Sequence, residues 1–247
     1  MNERAVSEAI GFIIILGIVM SGIGLVTLYG YPVLVKEQSN TDVRNMERAM
    51  IVIQNDMKSL CFKNVPYKET TLQVSGGTLE VINATSYGGF INVTNGTTLF
   101  QNNSVGALVY RSDRGTEVIT LENGAVITRQ EDAAGSAMLA EPRWFYDETT
   151  KTFAVYIMNI TTDEAMARSG VATVRMSLEG VVTNVSSSPG GEEITVIYES
   201  DTSNDNSVAW GNYLTGSLGM ERSDDGYTLQ GVTRLVIKEY RIRIHGI

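Results

Sequence analysis

The chain has 247 residues, of which 19 are Lys or Arg and 28 are Asp or Glu, giving a formal net charge of -9. That length holds one anchor plus one sizeable domain, and the acidic balance repels phosphate, so nucleic acid is excluded as an expected partner. With one cysteine, Cys61, and one histidine, His245, the chain has neither an intramolecular disulfide framework nor the Cys/His cluster of a zinc site.

The head, Met1-Asn2-Glu3-Arg4-Ala5, is short and places a basic residue directly before a small one; Val6-Ser7-Glu8-Ala9-Ile10-Gly11 then opens an apolar run. Residues 9–35 carry no charge and are dominated by Ile, Leu, Val, Gly and Phe. At about 1.5 Å per residue the run exceeds the roughly 20 residues needed to cross a bilayer core, so a membrane helix in contact with lipid is expected. It is longer than the roughly 7–15 apolar residues of a removable signal and lacks an A-x-A-like site at its far end, so it should stay with the mature protein. Glycines 11, 17, 22, 24 and 30, with Ser21, thin the helix and permit close approach of another helix. Pro32 deletes a backbone hydrogen bond near the end of the run and should kink or end the membrane segment.

Arg4-Ala5-Val6-Ser7-Glu8-Ala9-Ile10-Gly11 resembles the leader of archaeal type IV pilins and pilin-like surface proteins, and the resemblance extends over about the first 60 residues, through Arg44-Asn45-Met46-Glu47-Arg48-Ala49. It implies that a prepilin peptidase cuts between Ala5 and Val6, and that the helix supports self-association or association with other pilin-like subunits. Many pilins carry a Glu at the fifth mature position, which pairs with a neighbour's N-terminal amine; here Glu8 would be third, a departure that bears on the usual assembly contact. As an alternative, Glu8 is a helix-start acid favoured by the positive end of the helix dipole.

Beyond Pro32, Val43, Met46, Met50, Ile53, Met57 and Leu60 recur at spacings of 3, 4, 3, 4 and 3, an apolar seam with Asp42, Arg44, Glu47, Arg48, Asp56 and Lys58 off it. This predicts an amphipathic helix, too short for a coiled coil and suited to packing on the chain's own β domain. Cys61, near its end, reads as a small buried apolar residue.

After Cys61 the period changes from near 3.6 to 2 and turn residues become frequent, so a β domain is expected from about residue 63. Thr71-Leu72-Gln73-Val74 and Thr78-Leu79-Glu80-Val81-Ile82 flank Ser75-Gly76-Gly77 and read as a hairpin; residues 117–121 and 125–128 flank Asn123-Gly124 and read as another. Further strands are expected at 105–111, 152–159, 171–178, 193–199, 226–231 and 233–245, with one short helix at 207–214. The fold class is therefore α+β: leader 1–5, a hydrophobic then amphipathic helix over 6–62, and an exported antiparallel, sandwich-like domain over 63–247.

Asn83, Asn92, Asn95, Asn102, Asn159 and Asn184 each begin an Asn-x-Ser/Thr sequon, a glycosylation acceptor if the domain is exported. Catalytic chemistry finds little purchase. His245, in Arg-Ile-Arg-Ile-His, reads as part of a terminal strand and not as a nucleophile's base. No Gly-Lys-Ser/Thr phosphate loop or dinucleotide fingerprint occurs. Asp201-Thr202-Ser203-Asn204-Asp205-Asn206 is rich in oxygen but lacks the Gly and distal Glu of a calcium loop. Glu192 and Glu193 read as an exposed turn. Trp144-Phe145-Tyr146, Trp210 and Tyr213 fit a core better than a ligand groove. No cofactor, metal or catalytic residue is assigned.

The expected function is that of a structural pilin-like subunit or membrane-anchored surface protein in filament assembly or adhesion, with no enzymatic activity. The alternatives are a monomeric anchored ectodomain that binds a carbohydrate, peptide or envelope component, and a tethered hydrolase using carboxylates.

Overall fold

Glu3–Leu25 form helix α1, and a five-residue π-helical turn, Val26–Gly30, leads into α2, Tyr31–Lys63. The computed structural model describes residues 3–63, 65–96 and 99–247, with side chains throughout these except at 3–9 and 99–103. Pro32 neither ends nor interrupts helical structure; it is the second residue of α2, directly after the π-helical turn. The residue before it, Tyr31, donates its N–H to the Val26 carbonyl five residues back, so the wide turn takes up the irregularity that a proline would impose on α-helix. Within the apolar run, the Ser21 hydroxyl donates to the Gly17 carbonyl at 2.7 Å and Thr27 to Ile23 at 2.9 Å, which satisfies both polar side chains inside the helix itself.

The chain divides into two compact units, Met1–Asp42 and Val43–Ile247. In the second unit, the remainder of α2 is followed by β1 (Tyr67–Ile82), β2 (Phe90–Thr94), β3 (Leu99–Ser104), β4 (Ala107–Ser112), β5 (Glu117–Glu122), β6 (Ala125–Gln130), β7 (Ser136–Ala140), β8 (Phe145–Asp147), β9 (Thr152–Thr161) and β10 (Met166–Glu199). Helix α3 (Ser207–Asn212), a π-helical turn (Tyr213–Ser217), β11 (Glu221–Ser223) and β12 (Gly226–Gly246) complete it. The strands form one sheet in the order β7-β6-β5-β4-β1-β10-β12-β9-β8, with β2 and β3 added beside the far end of β10 and β11 beside β12. All pairings are antiparallel except β9 with β12, which is parallel.

The sheet has two buried faces. On one, Met46, Met50, Ile53, Met57 and Leu60 of α2 pack on Leu72, Leu79, Leu108, Ile119, Met158, Val174 and Ile242, as the spacing of the seam predicts. Thr70 donates to Asp56 at 2.5 Å, and Lys68 pairs with the same carboxylate at 3.0 Å, fixing the helix to β1. On the other face, Val118, Phe153, Val155, Leu235 and Ile237 meet Ile91 and Val93 of β2 together with Trp144, Trp210, Tyr213 and Leu214. The sheet thus folds back on itself, and the long β10 and β12 carry it around the turn.

The Asn123-Gly124 hairpin forms as expected, with positive φ at both residues (45° and 72°), the geometry of a tight two-residue turn. The Gly76-Gly77 hairpin does not form. Residues 67–82 are one strand, and the glycines sit in a bulge where the register against β10 shifts between Val74 and Leu79. A Cβ on Gly77 would lie 2.2 Å from the Arg111 carbonyl and 2.6 Å from the Tyr110 ring, so the pair of glycines admits β4 at close range and does not reverse the chain. The expected strands 171–178 and 193–199 likewise belong to the single β10, and 226–231 and 233–245 to the single β12. Pro189, Gly190 and Gly191 are absorbed in a register shift between Ser187 and Glu192.

Candidate functional site

Three features outside the ordinary core bear on function. The first is the apolar helical run. From Ile10 to Leu34 its large side chains stand exposed, Ile18 at 68% and Leu28 at 70% among them, and the helix is long and apolar enough to cross a membrane by length and composition. Ala5, Val6 and Glu8, the residues of the expected cleavage and assembly contacts, lie on the backbone of α1, but their side chains fall outside those described.

The second is a buried carboxylate that sequence reading did not single out. Glu122 ends β5 and is fully buried. Tyr198 donates its hydroxyl to Oε1 at 2.8 Å, Trp210 donates its indole N–H to the same oxygen at 2.7 Å, and Tyr87 donates to Oε2. Burial pushes the Glu122 carboxyl above the ordinary carboxylate range, and the hydrogen bonds from Tyr87, Trp210 and Tyr198 act in the opposite direction. Burial first, and then the Glu122 charge, raises the phenols of Tyr87 and Tyr198. The donors come from the loop after β1, from the end of β10 and from α3, so a single side chain ties three distant segments together. Both faces of β5 are buried, and Glu122 shares its face with Val118 and Thr120, opposite to that of Ile119 and Leu121.

Around this network the Asp201–Asn206 loop is held by its own side chains. Asp201 Oδ2 accepts the Gly88 N–H at 3.0 Å, and Oδ1 accepts the Ser203 N–H at 2.9 Å. Arg111 donates to Asn204 Oδ1 at 2.9 Å and Arg129 to the Ser203 carbonyl at 2.7 Å. Asp201, Asn204 and the Ser203 carbonyl are thus engaged in holding the loop in place, and no group of three or more metal-ligating side chains occurs among the described residues.

The third is a groove of about 530 Å³ lined by Asn55, Lys58, Ser59, Phe62, Lys63, Pro142 and Arg143. The Arg143 guanidinium lies 4.5 Å above the Phe62 ring, and Lys58 donates to the Glu141 carbonyl at 3.1 Å. Cys61, one turn away, is buried in the core behind it.

The remaining expectations find definite places. Trp144, Trp210 and Tyr213 are core, with Trp144 donating to the Tyr156 carbonyl at 2.7 Å, whereas Phe145 is exposed. Ser177 Oγ and His245 Nε2 lie 2.8 Å apart as a cross-strand pair on an exposed face. Glu192 and Glu193 lie within β10; Glu192 accepts from Asn95 Nδ2 at 3.1 Å, and Glu193 accepts from Gln230. Of the sequon residues, Asn83 donates its amide to the Thr162 carbonyl, the side-chain oxygens of Asn92 and Asn159 are buried in the sheet, and Asn184 is exposed on β10. The Asn102 side chain lies outside those described.

Together these features define a class: a mostly antiparallel β domain, with an amphipathic helix packed on its sheet, preceded in sequence by an apolar helix of membrane-spanning length. The chain belongs to the family of unknown function DUF7289, whose match covers residues 4–244. No curated protein and no solved structure matches it.

Proposed function

We propose that the protein is a non-catalytic, membrane-anchored surface subunit of the type IV pilin-like kind, built for cell-surface filament assembly or adhesion. The observation that carries this reading is the uninterrupted run of exposed apolar side chains along the N-terminal helix, next to the Arg4-Ala5-Val6 junction. Such a surface is stable in lipid or against other apolar helices and unfavourable in water. Ser21 and Thr27 support the same reading, since their hydroxyls are satisfied within the helix and add little cost to insertion. On this reading a prepilin peptidase removes residues 1–5, Glu8 becomes the acid nearest the new amino terminus, the helix sits in lipid or bundles with other subunits, and the β domain lies outside the cell. Asn83, Asn92 and Asn159 are held within the fold, so export alone would not open those three sequons to glycan transfer.

The test is the N-terminal sequence and intact mass of the protein from its native membrane and from sheared surface material. A chain starting at Val6 in the sheared fraction is the expected result. A chain starting at Met1 and confined to membranes overturns processing and polymerisation, and leaves an anchored ectodomain for which the groove beside Phe62 is the first place to seek a ligand.

A further inference from the structure

Strand β10 pairs with β1 through residues 166–177 and with β2 through residues 195–199, while β12 covers its other side. Between these two partners, residues 180–187 pair with β12 in unbroken register, Gly180 opposite Arg241 through Ser187 opposite Arg234. No strand among the described residues takes their outer edge. Such an edge offers a row of free N–H and C=O groups to any extended chain, and proteins ordinarily blunt it with charge, proline, a bulge or short length. This stretch, Gly-Val-Val-Thr-Asn-Val-Ser-Ser, has no charge and no proline, and the register shifts lie outside it. Val181, Val182 and Val185 are 44%, 50% and 51% exposed.

The edges at β7, β8, β9 and β11 are treated differently. β8 and β11 are three residues each, and β7 is five, followed directly by Glu141-Pro142. Along β9, beyond β8, the outward groups are occupied: Trp144 bonds the Tyr156 carbonyl, the Met158 N–H bonds Asn123 Oδ1 at 2.7 Å, and the Ala84 N–H bonds the Ile160 carbonyl at 3.1 Å. An eight-residue uncharged edge left open beside these sealed ones is the feature that needs an occupant.

We infer that residues 180–187 of β10 are an addition edge for a second copy of this chain, joined antiparallel about a twofold axis at Thr183. A twofold contact brings the same patch from both copies together, so it must be self-complementary. A neutral strand meets this condition even though each chain carries a net charge of -9 and copies repel one another elsewhere. With the axis at Thr183, Val181 of each copy faces Val185 of the other, and Val182 faces Asn184; directly opposed β-branched pairs are the stabilising unit of an antiparallel ladder. Eight residues of strand make a small contact, and tethering in a membrane, as proposed above, would supply the local concentration to sustain it. The pairing itself does not depend on that reading.

The test uses the full chain in detergent micelles. Thr183→Cys under mild oxidation should give a covalent dimer, because cross-axis Cα separations of about 4.5–5.5 Å suit a disulfide. The native chain, whose only thiol is the buried Cys61, and Asp224→Cys at an exposed turn away from the edge should not. Val185→Lys should weaken association roughly tenfold or more in sedimentation, since it sets a charge into an otherwise apolar pair. Three results overturn the inference: no more dimer from Thr183→Cys than from Asp224→Cys; a dimer indifferent to Val185→Lys, which places the contact on the apolar helix; or a glycan on Asn184 in the native protein, which makes sugar the cover of this edge.

Discussion

Glu122 is a fully buried acid whose hydrogen-bond partners are neutral phenol and indole donors, so its value to the fold lies in what it satisfies. Glu122→Ala would strand three buried donors, and the expected loss is about 3 kcal/mol or more in denaturant unfolding. Glu122→Gln keeps an oxygen for Tyr198 and Trp210 and should cost far less. The two chains should also differ with pH. Because burial raises the folded pKa of this acid, the folded chain holds the proton more tightly than the unfolded one. Its contribution is complete below the unfolded value and is lost as pH rises through the folded one. The unfolding midpoint of the native chain should therefore fall relative to that of Glu122→Gln as pH rises above about 4. The burial of Glu122 was not legible in sequence, because β5 is buried on both faces and its alternation does not separate inside from outside. Nor were its partners, since Tyr87, Tyr198 and Trp210 lie 35, 76 and 88 residues away in sequence. By contrast, Trp144, Trp210 and Tyr213 were correctly read as core, because large aromatics have few other places in a β domain of this size.

The elements that sequence defined best are those whose signal is local. The seam from Val43 to Leu60 follows the helical repeat residue by residue, and the whole of it is buried. Ile53→Ala or Met57→Ala should therefore destabilise the domain by about 2–5 kcal/mol, read as a shift of the unfolding midpoint. Asn123-Gly124 was legible for the same reason, since a turn with two positive φ angles selects its own residues. Gly76-Gly77 carries the same local signature and does something else, because what decides there is the approach of Tyr110 and Arg111 from β4. Gly77→Ala should cost about 1–3 kcal/mol through that clash, whereas a glycine in an open turn would tolerate the change. The long β10 was read as two strands because Pro189-Gly190-Gly191 looks like punctuation; the structure accommodates those residues as a bulge while β12 continues alongside.

At the scale of the molecule, the unit containing the β domain begins at Val43, so the second half of α2 belongs to its core. A chain beginning at Val43 should unfold in one cooperative transition and remain soluble. One beginning at Val65 should aggregate, because Leu72, Leu79, Ile119 and Ile242 lose their cover. The α+β class was legible from the change of period near Cys61, whereas strand order was not: nothing local says that β9 runs parallel to β12 or that β2 joins the far end of β10. That order has a consequence for how the protein is made. The strand that binds β10 on one side and β9 on the other, β12, follows both of them in sequence, so Val236, Ile237 and Tyr240 meet their neighbours only after both partners have been made. Until β12 has been synthesised the middle of the sheet cannot close, and the facing borders of β10 and β9 stay unmatched. A sheet whose keystone strand is made after both of its neighbours has no partial form to rest in, and a stop codon within β12, a dozen residues before Gly246, should leave the chain to proteolysis.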